Sequence, residues 1–137
     1  MKSDDFSAQQ YLIDIPVFGD TRGSLAALES PLIPFEIQRI YYIFGTSPGV
    51  RRGFHAHRRL QQVAVCVHGA CSFLLDNGSH QTTVHLDKPS TGLYLGHMIW
   101  REMFDFSPDC VLVVLADSIY DESDYIRSHA EFLRCCG

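Results

Sequence analysis

Apolar and polar positions alternate in short runs along most of this chain, and turn residues separate the runs. Residues 37–44, rich in Ile, Tyr and Phe, read as a strand. Tyr41 and Tyr42 fall on opposite faces of it, so only one of them can line a given site. Residues 52–57 form a second strand that leads into the continuous apolar run 63–67 and stops at Gly69. Residues 71–75 follow, Asp76-Asn77-Gly78 is a hairpin signal, and 82–86 pair back. Residues 93–96 and 98–103 give two short strand-like pieces, and the unbroken apolar run 111–116 suits the centre of a sandwich or barrel. Toward the N-terminus, residues 6–18 mix both kinds of position, and Pro16 favours an edge or exchanged strand over a central one. Residues 20–24 form a turn in which Gly23 is free to take positive φ, ahead of the short apolar stretch 25–28. Only the end of the chain has helical spacing: Asp121 and Ser123 offer caps for 124–133, where Tyr125, Ile126, His129 and Phe132 recur near the helical period. The sum is an all-β sandwich or small barrel with a short C-terminal helix.

Composition narrows the class without changing the fold. A chain of 137 residues with 46% hydrophobic and 20% charged positions is most simply one domain, 1–137. A net charge of -5 argues against a nucleic-acid surface. Arg22, Arg39, Arg51, Arg52, Arg58 and Arg59 nevertheless all lie in the first half, which leaves room for a local cationic pocket. No run is long enough to span a membrane, and the start Met1-Lys2-Ser3-Asp4-Asp5 lacks a signal-peptide pattern, so the expected location is cytoplasmic. Five cysteines without CxxC spacing indicate neither a disulfide framework nor a zinc knuckle. Cys66, Cys71 and Cys110 read as small buried hydrophobes, and Cys135 and Cys136 as exposed tail residues.

Chemistry concentrates at Arg52-Gly53-Phe54-His55-Ala56-His57. Two histidines one residue apart on a strand point the same way and can act on one ligand, and the Arg52 fork beside them suits phosphate. A histidine in a strand is more often a surface or satisfied core residue, so the surroundings carry the argument. Gly49, His55, His57, Gln62 and Gly69 have the spacing of the first cupin motif, with Gln62 where a metal-binding cupin has Glu. In the second-motif neighbourhood Trp100 and Arg101 stand near the position of the remaining histidine ligand. Gln is a weak ligand and Arg cannot be one, so no metal is expected. His55 and His57 are then free as acid and base near neutral pH, and Arg101, Tyr42 or His57 could stabilise an enediolate.

The chain resembles the small bacterial cupin family of nucleotide-sugar 3,4-ketoisomerases that act on dTDP-4-keto-6-deoxyglucose. The resemblance runs over 20–25, 39–43, 52–57, 92–94 with 100–103, and 120–127. It implies a homodimeric cupin with N-terminal strands exchanged between subunits, and no metal or other cofactor. By motif, His55 is similar to the base that removes the C3 proton, His57 to the shuttle between the C3 hydroxyl and the C4 carbonyl, and Arg52 to the arginine that holds the diphosphate. Arg22 is a second nucleotide-side residue by likeness to related dTDP-sugar epimerases, and Tyr42, Gln62, Trp100 and Arg101 are expected against the substrate. The implied reaction moves the keto group from C4 to C3 through an enediol, ahead of an aminotransferase that makes a 3-amino sugar. The rival readings are a metal-dependent cupin oxygenase or isomerase and a non-catalytic sugar-binding cupin.

Overall fold

The protein is described by a computed structural model over residues 7–137. Met1 to Asp5, on which the signal-peptide reading rests, and Phe6, which heads the first expected strand, lie outside the described residues. The strands are β1 (Leu12–Asp14), β2 (Val17–Asp20), β3 (Gly23–Ala26), β4 (Arg39–Ile43), β5 (Arg52–His57), β6 (Gln62–His68), β7 (Cys71–Asp76), β8 (Gln81–Leu86), β9 (Thr91–Leu95), β10 (Trp100–Phe104), β11 (Val111–Ala116) and β12 (Tyr125–Ile126), and α1 spans His129–Cys136. They form two five-stranded sheets, β1-β9-β6-β11-β4 and β12-β5-β10-β7-β8, beside a separate β2-β3 hairpin. All pairings are antiparallel. The architecture is the all-β, jelly-roll-like one expected, closed by one short C-terminal helix.

Three apolar layers explain why the central strands are apolar without interruption. Between the sheets, Ala64, Cys66, Leu93 and Leu112 of one meet Phe73, Leu75, Leu86 and Met103 of the other. On the outer face of the first sheet, Val63, Val65 and Leu115 are covered by Ile33 with Leu28, Leu32 and Phe35. On the outer face of the second, Ala56, Trp100 and Ile126 are covered by Phe132 of α1. Alternate residues of β6 thus enter different layers, and both sets must be apolar. A buried Leu or Phe contributes about 1.5–3 kcal/mol.

Two expected boundaries move, each because tertiary pairing overrides local pattern. Tyr125 and Ile126 are not helical: they pair as β12 with His57 and Ala56 on the open edge of β5. The helix waits for Ser128, whose side chain accepts from the Glu131 N–H, while Asp121 caps only the 3-10 turn Glu122–Asp124. The piece expected over 98–103 begins as a strand only at Trp100, because Met98 takes φ 59° as its N–H donates to the His57 carbonyl at 2.7 Å. At the N-terminus β1 is an edge strand, as Pro16 suggests, and Gly23 turns the β2-β3 hairpin at φ 132°.

Candidate active site

The site is built on an irregularity in β5. His55 pairs with Arg101 and Gly53 with Glu102, so the register slips and Phe54 has no partner on β10. Gly53 and Phe54 both take positive φ, 93° and 58°. A Cβ on Gly53 would lie 2.8 Å from the Arg101 carbonyl oxygen, so this bulge needs glycine. Arg52 and His55 are three residues apart, and strict alternation would put them on opposite faces. The extra residue restores the phase, and both line one cleft of about 490 Å³ with Arg39, Tyr41, Tyr125 and Arg127.

The two imidazoles lie side by side, with ring centroids 4.9 Å apart at a near-perpendicular angle. The ring of Tyr125 packs against both, at 4.9 Å from His55 and 4.4 Å from His57. His55 Nδ1 lies 3.0 Å from the Gly53 carbonyl oxygen, and His57 Nδ1 lies 3.2 Å from Asp124 Oδ2. Both partners are acceptors, so each Nδ1 carries the proton and each Nε2 keeps a lone pair. His57 Nε2 is buried without a partner, as a base awaiting a proton would be. Burial, then the Arg101 charge, pushes both imidazoles down to about 3. For His57 that push acts against the Asp124 carboxylate that holds its ring. Both rings are therefore neutral at physiological pH.

Beneath them Arg101 is 2% exposed, and among the described residues no carboxylate forms an ion pair with it. Its Nη1 donates to Gln62 Oε1 at 2.6 Å, and Nε and Nη2 donate to the Ile99 carbonyl at 3.1 and 3.0 Å. Gln62 in turn donates to the Tyr41 hydroxyl at 3.0 Å. Burial pulls Arg101 down only to about 10, so it stays charged. An unpaired buried cation is costly, and it is held where negative charge would be welcome. The same geometry suits a metal poorly: Gln62 Oε1, the atom in the place of the third ligand, already accepts from a fixed guanidinium.

Of the residues singled out from sequence, His55, His57, Arg52, Arg101 and Gln62 come together, with Gln62 beneath Arg101 as its support. The other three do not. Tyr42 is 62% exposed on the outer face of β4, and Tyr41 takes the inward place expected of it. Trp100 points away from Arg101 on β10, with its ring 5.0 Å from that of His129 and its Nε1 donating to Glu102. Alternation forbids neighbouring strand residues from sharing a face, so Trp100 belongs to the layer under α1. Arg22 sits on the exposed β2-β3 hairpin, paired with Asp20. Sequence reasoning missed Arg39, whose buried Nε has no partner; Asp124, which also accepts from the Arg59 and Leu60 N–H groups; Tyr125; and Arg127, 4.0 Å over the Tyr125 ring. Alternation from Tyr41 would have found Arg39.

Fold and site together define a small jelly-roll protein with an acid–base pocket fitted to an anionic ligand. The family model described as FdtA, WxcM-like, C-terminal, matches residues 8–137, and the chain belongs to that family. It is 53% identical over 114 residues to a TDP-4-oxo-6-deoxy-alpha-D-glucose-3,4-oxoisomerase of Aneurinibacillus thermoaerophilus, covering 82% of each chain. Among solved structures it is similar to a 3,4-ketoisomerase from Helicobacter canadensis, with 44% identity, a TM-score of 0.89, and 91% and 95% of the two chains covered. It is also similar to QdtA, a sugar 3,4-ketoisomerase from Thermoanaerobacterium thermosaccharolyticum, in complex with TDP, with 40% identity, a TM-score of 0.89, and 91% and 92% covered.

Proposed function

We propose that this protein is a nucleotide-sugar 3,4-ketoisomerase that moves the keto group of TDP-4-keto-6-deoxyglucose from C4 to C3. The observation that carries the reading is the pair of neutral imidazoles, each with Nε2 free, above a buried guanidinium that lacks a counter-charge. The C4 ketone acidifies the C3 proton, and His55 Nε2 takes it. The enediolate that forms is stabilised by Arg101, whose charge is already desolvated. His57 moves a proton from the C3 hydroxyl to the C4 oxygen, with Asp124 holding its tautomer, and the His55 imidazolium, after exchanging its proton with solvent, protonates C4. Oxidation at C3 balances reduction at C4, so no external electron acceptor enters the equation. Arg52, at the rim of the cleft with Arg39 and Arg127, supplies charge-assisted donors for the diphosphate. The diphosphate's negative charge raises both imidazoles from their unliganded values and makes them stronger bases.

The hairpin fits a homodimer with exchanged N-terminal strands. Val17, Phe18 and Leu25 of the hairpin, Ile40 and Tyr42 of the edge strand β4, and Phe44 just after it are exposed apolar side chains. Covering them with a second copy also offers a place for Arg22 at the partner's site. No helix of the described residues is long and apolar enough to cross a membrane, and all five cysteines are unpaired, which supports a reducing, cytoplasmic setting. The 3-keto product presents the carbonyl that an aminotransferase would consume in making a 3-amino sugar.

The test is to incubate the protein with TDP-4-keto-6-deoxyglucose in deuterated water and follow the sugar by NMR. A 3-keto product with deuterium at C4 is expected. Binding without carbonyl migration or exchange would favour a non-catalytic sugar-binding protein.

A further inference from the structure

Three thiols that no step of this reaction uses stand together inside the barrel. Cys66, Cys71 and Cys110 are each at most 1% exposed, and their three Sγ atoms lie within 4.8 Å of one another. Cys66 Sγ and Cys110 Sγ are 3.7 Å apart, close to the about 3.8 Å between sulfurs that share one tetrahedral ion at about 2.3 Å. Cys66 is four residues along β6 from Gln62, or about 13 Å at the ordinary strand rise, so the cluster sits well away from the imidazoles. Cys66 and Cys71 flank the turn through Gly69, and Cys110 ends the loop whose Ser107 N–H and Oγ bond to the carbonyl and N–H of Ala70, at 2.8 and 2.9 Å. The exposed pair His68–Asp109 spans the same turn and loop.

The choice of ligand follows from count and charge. Among the described residues no His, Asp, Glu or further Cys joins the group, so the cluster offers three donors. Zinc would leave its fourth position open and the complex with a net negative charge, in a pocket otherwise lined by apolar side chains such as Leu86 and Leu112. A trivalent element that stops at three sulfurs leaves no charge. We propose that Cys66, Cys71 and Cys110 form a buried tris-thiol site for trivalent, three-coordinate thiophilic elements, with arsenic(III) hydroxide as the probe. The reaction is a condensation: each S–H proton leaves with one hydroxide as water, three As–S bonds replace three As–O bonds, and arsenic stays trivalent.

The experiment removes the competing tail pair first. In the Cys135→Ser/Cys136→Ser protein, kept reduced, arsenite should add one arsenic per chain with loss of three hydrogens in the intact mass. X-ray absorption should then show arsenic with three sulfur neighbours and no oxygen, a readout that needs no core substitution. In the same background Cys66→Ala should weaken uptake by more than the roughly hundredfold typical of an outer-shell change. Absence of uptake once the tail is serine, a two-sulfur-one-oxygen signature, undiminished uptake by Cys66→Ala, or uptake only with loss of the native melting transition would each overturn the site.

Discussion

The two ends of the barrel interior are built on opposite rules. At the Cys66 end the core positions are apolar or thiols, even the register slip between Val111 and Leu112 leaves that set apolar, and a long run of Val, Ala and Cys is enough to specify the strands. At the His55 end the interior holds Arg101, Gln62, His57 and Asp124, all buried, and the strand that carries the histidines contains a bulge with two positive φ values. The first end brings stability through burial of apolar area. The second gives up some of that stability to hold charges and lone pairs out of water, where they act more strongly. The difference teaches which end to perturb for activity and which for folding.

The sharpest break in that contrast is removal of the base. His55→Asn should lower turnover by about 100- to 10,000-fold and stop C3 deuterium exchange, with little change in the melting temperature. His57→Asn should stop net isomerisation while leaving slow C3 exchange through His55. If His55→Asn exchanges C3 at the normal rate, the roles assigned to the two rings are wrong.

Arg101→Met tests whether charge at this end is held for chemistry. We expect kcat to fall about 100- to 1,000-fold, and stability in denaturant to rise by about 1 kcal/mol or more because a desolvated, unpaired charge is gone. A variant that loses both activity and stability would show that the guanidinium holds the barrel together.

Asp124→Asn should act through His57. Turnover should fall by roughly 10- to 100-fold with KM nearly unchanged, and the pH profile should shift as the ring loses its fixed tautomer. A change confined to KM would place Asp124 on the substrate side.

A smaller and more diagnostic effect concerns pH. The imidazoles are held at about 3 in the fold, against about 6.5 in the unfolded chain. Between those values the unfolded state binds more protons, so their contribution to stability is present above about pH 6.5 and is lost as pH falls toward about 3. Each ring can contribute up to about 1.4 kcal/mol per pH unit in that window. Replacing His57 by Asn should flatten the pH dependence of denaturant unfolding there. The smallest effect of all is expected from a chelator: exhaustive treatment should leave turnover at its starting value, and loss of activity restored by one particular metal would support the metal-dependent rival.

The same contrast decides what could be read from the chain alone. At the apolar end, alternation, an Asp-Asn-Gly turn and an unbroken apolar run locate β6, β7, β8 and β11 nearly to the residue. At the other end local pattern is overruled from afar. Tyr125 and Ile126 have helical spacing, yet the open edge of β5 captures them, and no local signal announces that edge. Arg52 shares the cleft with His55 only because Phe54 is an extra residue, which period-two counting does not include. Trp100 neighbours Arg101 on β10, so alternation alone sends its side chain to the opposite face, under α1. Choosing Tyr41 over Tyr42 needed the register of β4, which Arg39 on the same face could have supplied.

The buried Arg101 also has a consequence for the protein's lifetime in a cell. A chain that keeps an uncompensated cation in its interior is least stable when its cleft is empty, and an anionic sugar nucleotide that binds only the folded form stabilises it by mass action. Substrate should then raise the melting temperature of its own enzyme. Idle copies should then be degraded faster than occupied ones, read as a shorter half-life of the protein when the nucleotide sugar is withheld.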